Sequence, residues 1–130
     1  MIALDTNVLA RLLLQDDAAQ HARAKALFKT KQVFTAPVTV MLELVWVLQS
    51  QDIEAQQIAL GITALLNLPN FKPDCAQALR TALDHYLQGM DFADALHLAL
   101  SAGESKFLSF DKSFARQANK NSLLPELVLI

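Results

Sequence analysis

Cysteine is nearly absent from this chain: Cys75 is the only one in 130 residues. A disulfide framework and a cysteine zinc site are thereby excluded within one chain, and Cys75 itself reads as a small buried hydrophobe. The three histidines, His21, His85 and His97, show neither HxH nor HxxxH spacing, which argues against a histidine-rich metal site. Three glycines and four prolines leave little punctuation and favour long helices, with no repeat, linker or low-complexity stretch. No apolar run approaches the roughly 20 residues of a membrane span. The longest, Val38 to Leu48, carries Glu43 in its middle. A basic segment followed by an apolar one is also missing at the start, so no signal peptide is expected, and Met1-Ile2-Ala3-Leu4 already reads as folded structure. Nor is there an excess of cations: 11 Lys and Arg face 13 Asp and Glu, for a net charge of −2. That argues against a broad basic surface gripping many phosphates. It leaves open a phosphate chemistry in which a metal ion brings its own charge.

What is present is a core. The hydrophobic fraction is 53%, too high for disorder, and the length fits one domain, residues 1–130, that needs no staples. Met1 to Leu4 reads as a short buried strand. Thr6 to Leu14 has apolar residues at helical spacing (Val8, Leu9, Leu12, Leu13). Asp16 and Asp17 are caps for a helix over Ala18 to Thr30. A strand is expected at Gln32 to Thr35, then a helix from Pro37 to Gln49, since proline suits a helix entrance. Helices follow over Glu54 to Leu66, Cys75 to Leu87 (capped by Asp74, stopped by Gly89) and Phe92 to Ala102. A strand is expected at Asn70 to Lys72, another at Lys106 to Ser109, a helix at Lys112 to Asn119, and a last strand at Leu127 to Ile130. Apolar strands alternating with helices predict an α/β fold, three-layer α/β/α around a central, mainly parallel sheet.

In such sheets sites form beyond the carboxyl ends of the strands. Asp5 directly follows the first strand, and Asp111 follows Phe107-Leu108-Ser109 by one residue. Each reads equally as a helix N-cap. Glu43 is harder to explain by structure alone. Its neighbours Met41, Leu42, Leu44, Val45, Trp46, Val47 and Leu48 cover nearly the whole helix, and an ionised carboxylate buried there costs several kcal/mol unless a cation or hydrogen bonds satisfy it. The bland alternative is one buried ion pair or a position at the rim. Asp91 and Asp94 are three apart on one helix face, as is His97. Asp91 reads as N-cap and Asp94 as dipole complement or metal ligand; His97 reads as a packed or hydrogen-bonded helix residue rather than a ligand. If the four acids converge, their repulsion is resolved by a hard divalent cation, Mg²⁺ or Mn²⁺, which prefers oxygen ligands.

These segments resemble the PIN-domain family, and within it the VapC-like toxin ribonucleases. Leu4-Asp5-Thr6-Asn7-Val8-Leu9-Ala10-Arg11-Leu12-Leu13 is similar to the family's first motif, continued by Asp16-Asp17 and Gln20. Glu43-Leu44-Val45-Trp46-Val47-Leu48 resembles the second, Gly89 to Ala99 the third, and Leu108-Ser109-Phe110-Asp111-Lys112-Ser113-Phe114 the fourth. The motifs stand in family order over nearly the whole chain; Ser109 takes a place where threonine is frequent, and the tail from Asn119 matches less clearly. The resemblance implies a Mg²⁺- or Mn²⁺-dependent endoribonuclease with Asp5, Glu43, Asp94 and Asp111 as metal and catalytic residues. Asn7 would orient Asp5, with Ser109 and Asp91 in support. It further implies an RNA substrate, a cytoplasmic homodimer, no membrane, and an antitoxin protein whose tail enters the acidic site with an arginine.

Other readings compete. A catalytically silent PIN-like module would bind protein or RNA only, which four intact acids count against. A haloacid-dehalogenase-like phosphatase expects a second aspartate where Asn7 stands, and a receiver domain expects an acid pair before its acceptor strand. Lys112 and Arg116 share a helix face and read as phosphate contacts or as a solvated basic face. Arg11 is placed to pair with Asp16. Trp46 and the phenylalanines read as core, and the apolar helices after Asp52 pack internally or form a dimer and antitoxin surface.

Overall fold

The computed structural model describes residues 1–130. The chain divides into two compact units, Met1–Ala76 and Gln77–Ile130. The first opens with β1 (Ile2–Ala3) and α1 (Thr6–Leu14), followed by α2 (Ala18–Leu27), β2 (Phe34–Thr35), α3 (Val38–Ser50) and α4 (Ala55–Leu66). Each helix starts and stops for a local reason. The Asp5 carboxylate accepts from Thr6 N at the head of α1, and Gln15 ends it in the left-handed region at φ 55°. Asp17 caps α2 by accepting from Gln20 N. Asp16 does not share that task. It takes both terminal contacts of Arg11 Nη1, at 2.8 Å each, while Arg11 Nε donates to Gln20. The expected Arg11–Asp16 pair therefore forms, and it ties α1 to α2. Pro37 stands at the entrance of α3 with no side-chain cap.

The core of this unit follows the 3.6-residue period. α3 buries Met41, Leu44, Val45 and Leu48; α4 buries Ile58, Ala59, Ile62, Leu65 and Leu66; α1 contributes Leu9 and Ala10. A Cβ added at Gly61 would meet both Leu13 methyl groups at 3.6 Å, ordinary contact. β1 and β2 pair in parallel, Ile2 with Phe34 and Ala3 with Thr35, and the ladder is extended by Leu4 N donating to Thr35 O. The strand expected at Asn70 to Lys72 reduces to a single parallel bridge, Phe34 with Phe71. Phe28 packs on both those rings, at centroid separations of 5.1 and 6.1 Å.

The second unit holds α5 (Ala76–Leu87, its first residue in the preceding unit), α6 (Phe92–Leu100), β3 (Lys106–Ser109), α7 (Lys112–Lys120) and β4 (Glu126–Leu129). Gly89, at φ 101°, sits two residues beyond α5 in a conformation that side chains resist, which explains the stop there. α6 ends at Leu100, short of the Ala102 expected, with Ser101 as C-cap. β3 and β4 pair in parallel over Lys106–Ser109 and Glu126–Leu129. Their inner side holds Leu127, and Phe107 meets Phe114 of α7 edge-on at 5.5 Å.

The strands are parallel, as expected, and an α/β class fits. Each unit holds one two-stranded parallel sheet, β1 with β2 in the first and β3 with β4 in the second. Three expectations about burial also change. Met1, Ile2 and Ala3 are exposed, since a two-residue strand with a single partner covers little surface. Cys75 is exposed, because it occupies a turn at φ 57° ahead of α5 rather than a helical position. Trp46 is 68% exposed and Phe110 80% exposed, so these two aromatics are not core. No helix is long and apolar enough to cross a membrane.

Candidate acidic site

In the first unit, β1 ends at Ala3 and the chain delivers Asp5 two residues later, at the mouth of α1. Asp5 is extended (φ −82°, ψ 161°) and its Oδ1 accepts from Thr6 N at 2.8 Å. Thr6 is the one buried polar residue of the chain, 3% exposed. Its hydroxyl donates to Glu43 Oε1 of α3 in a short hydrogen bond. One residue thus touches both acids, through its amide and through its hydroxyl, and it joins the head of α1 to the middle of α3.

That arrangement corrects one expectation. Glu43 is exposed, not buried. α3 is apolar nearly all round, but it buries only the face of Met41, Leu44, Val45 and Leu48, and Glu43 shares the open face with Trp46 three residues on. The carboxylate meets the Thr6 hydroxyl on one side and solvent on the other. Asn7 is exposed, and the amide of Thr6 donates to Asp5. Sequence reasoning passed over Thr6. The available signal was its place between an acid and an amide at a strand-to-helix junction, where hydroxyls serve as local hydrogen-bonding groups.

In the second unit, three carboxylates cluster by sequence position and by field. Asp91 caps α6, its Oδ2 accepting from Asp94 N at 3.0 Å. Asp111 comes two residues after β3 and caps α7, its Oδ1 accepting from Phe114 N at 3.0 Å. Its own amide donates to Ser109 Oγ at 3.0 Å, so Ser109 fixes the backbone that presents this acid. Asp94, half-buried in the first turn of α6, has its carboxyl raised above the ordinary aspartate value. Burial is the largest cause, followed by the charges of Asp91 and Asp111, with His97 opposing. His97 is exposed rather than packed, and acts on Asp94 through its charge.

Of the four expected acids, Asp5 and Glu43 belong to the first unit and Asp94 and Asp111 to the second. Asp91 accepts from Asp94 N, Ser109 accepts from Asp111 N, and Asn7 is exposed. No group of three or more His, Cys, Asp or Glu side chains is arranged to hold a metal ion. The donor chemistry nonetheless fits a hard cation. The donors are carboxylate oxygens, they destabilise one another's charge around Asp94, and no lysine or arginine forms an ion pair with any of them. The Arg11 guanidinium is paired with Asp16.

The sequence model of the PIN domain family matches residues 2–120. No curated protein matches the chain. PIN domains are generally metal-dependent nucleases. With the match covering all but eleven positions of the chain, the protein belongs to the PIN domain family.

Proposed function

We propose that this PIN-domain chain, one domain over residues 1–130 with the three-layer architecture expected from its sequence, is a Mg²⁺- or Mn²⁺-dependent endoribonuclease. The ligand set of this reading is Asp5, Glu43, Asp94 and Asp111. What supports it is the family match over residues 2–120, together with a half-buried Asp94 whose carboxyl is raised by burial and by the charges of Asp91 and Asp111 against the opposing His97. A folded protein keeps such mutually repelling acids at a cost, and a divalent ion is the partner that removes it. When bound, such an ion polarises a phosphoryl oxygen, lowers the pKa of water and stabilises charge on the leaving oxygen.

The chain's own residues do the positioning. Thr6 holds Asp5 through its amide and Glu43 through its hydroxyl. Ser109 fixes the Asp111 backbone and Asp91 fixes the first turn of α6 beneath Asp94. Water attacks phosphorus in line and the bond to the 3′ oxygen breaks. The proton lost by the water is matched by the one the 3′ oxygen gains, leaving 5′-phosphate and 3′-hydroxyl ends. In this reading the protein is a VapC-like cytoplasmic toxin of a type II toxin–antitoxin pair and acts as a homodimer. Its antitoxin places an arginine among the acids, where a guanidinium stands in for the cation.

Purified protein incubated with single-stranded RNA should cut it only when Mg²⁺ or Mn²⁺ is supplied, and EDTA should stop the reaction. No cutting of any RNA, with no metal binding by calorimetry, would leave the silent binding module as the better reading. A second expected result concerns Thr6→Val, which keeps shape and removes the hydroxyl. Cleavage should fall about 10- to 100-fold, the usual effect of removing a group that orients a metal ligand. Because Glu43 is exposed and can turn to water, stability should fall by only about 1 kcal/mol. Thr6→Ser should restore most of the activity, and equal losses in the two variants would show that the hydroxyl is not the operative group.

A further inference from the structure

α7 carries three of the chain's 11 cations and no acid: Lys112, Arg116 and Lys120 stand at every fourth position of its nine residues. All three are exposed, and none takes part in an ion pair. At about 100° per residue they spread over roughly 80° of the helix circumference, and successive cations rise about 6 Å along the axis. The opposite face, Phe114, Ala115 and Ala118, is buried and fixes which way the stripe looks. Helix stability does not account for the row. Lys120 at the last turn complements the helix dipole, but Lys112 in the first turn opposes it, at about 0.3–1 kcal/mol in an exposed position. A row of unpaired cations at a rise comparable to the phosphate spacing of an extended strand matches a polyanion of regular charge.

We propose that this stripe is the track for the backbone of a single-stranded RNA, which runs along α7 away from Asp111 with one phosphate at each of Lys112, Arg116 and Lys120. The direction rests on the nuclease reading, since Asp111 caps the end of α7 at which Lys112 begins the row. The other basic helix does not offer an equivalent. In α2, Arg23 and Lys25 are two residues apart and so point to different faces. With a net charge of −2 over the whole chain, a short track that engages few phosphates is what the composition permits, and its salt dependence should be correspondingly shallow.

The test uses the full chain with Asp94→Asn, so that RNA is not consumed, and a fluorescently labelled, unstructured RNA dodecamer read by anisotropy across a salt series. Three contacts at about 0.7 each predict that Lys112→Gln/Arg116→Gln/Lys120→Gln lowers the slope of log K against log salt by about 2. Affinity at low salt should fall at least about tenfold. Arg116→Gln alone, an exposed single change, should lower the slope by about 0.7. Unchanged slopes in variants with parental circular dichroism would overturn the track, whether or not the wild type cuts RNA. Conversely, lowered slopes with a wild type that cuts no RNA would keep the track and sink the nuclease reading. Tighter, stripe-dependent binding of polyglutamate than of RNA would also overturn it, in favour of an acidic protein partner.

Discussion

RNA cleavage by an Asp5→Asn variant is expected to fall by at least about 10²-fold, the scale of losing one preorganised charge contact at a reacting phosphate. Its stability should stay within a few tenths of a kcal/mol of the parent. The pairing of those two outcomes separates the roles that Asp5 combines. Its Oδ1 accepts from Thr6 N at the head of α1, and asparagine caps a helix about as well as aspartate. If capping were the whole role, Asn would be harmless to activity and stability alike. Asp5→Ala should lose both, with about 1 kcal/mol of stability going with the cap. Activity is followed by gel cleavage assay with Mn²⁺ and stability by urea titration. An Asn variant that cuts RNA as fast as the parent would remove Asp5 from the ligand set. The same comparison applies to Asp111, which caps α7 in the same way.

The elements were largely legible from the sequence because their signals are local. Asp5, Asp17, Asp91 and Asp111 each stand directly before a helix and each accepts a first-turn amide. The strand Lys106–Ser109 and the helix Thr6–Leu14 form over the ranges that periodicity and caps predict. What failed depends on which side of an element is covered. The surroundings of Glu43 are apolar in sequence on every side, yet only one face of α3 is packed, so Glu43 and Trp46 are exposed. Apolar composition reports which residues tolerate burial, not which faces find a partner. Cys75 illustrates the same limit, since a turn at φ 57° carries it out to solvent.

The acids of the candidate site were found by position, at strand ends and in a helix, and the contacts that hold them were not. Thr6 makes the link between Asp5 and Glu43, and no pattern along the chain shows that residues 6 and 43 meet. Long-range pairing of this kind follows from the packing of α1 on α3, which buries Leu9 and Ala10 with Met41 and Leu44. The field at Asp94 is a further case. Asp91 is visible as a neighbour at i−3, but the contribution of Asp111 arises from the fold of the second unit.

An Asp94→Asn variant is expected to lose cleavage by at least about 10²-fold and, in EDTA near neutral pH, to unfold at a higher temperature than the parent. Burial and the charges of Asp91 and Asp111 raise the Asp94 carboxyl above its unfolded value of 3.8. The folded state therefore binds that proton more readily than the unfolded state does. Below the unfolded value both states are protonated and no penalty exists. As pH rises from there through the raised folded value, the folded state must ionise a carboxyl in surroundings that disfavour its charge, and stability falls. Asparagine carries no such penalty, so the advantage of the variant should appear as pH rises through this window and vanish towards the acid end. One effect opposes it: a negative charge in the first turn of α6 gains about 0.3–1 kcal/mol from the helix dipole. Burial and the like charges of Asp91 and Asp111 act against that gain. Metal reverses the ranking. An ion at 100 times its dissociation constant stabilises the parent by about 2.7 kcal/mol, and the variant, with a ligand removed and its repulsion relieved, should respond far less. Scanning calorimetry of both proteins from pH 4 to 8, with EDTA and with Mn²⁺, reads all of this at once. A variant less stable than the parent in EDTA at neutral pH would mean that Asp94 serves α6 rather than a cation, and an equal Mn²⁺ response in both proteins would place the ion elsewhere.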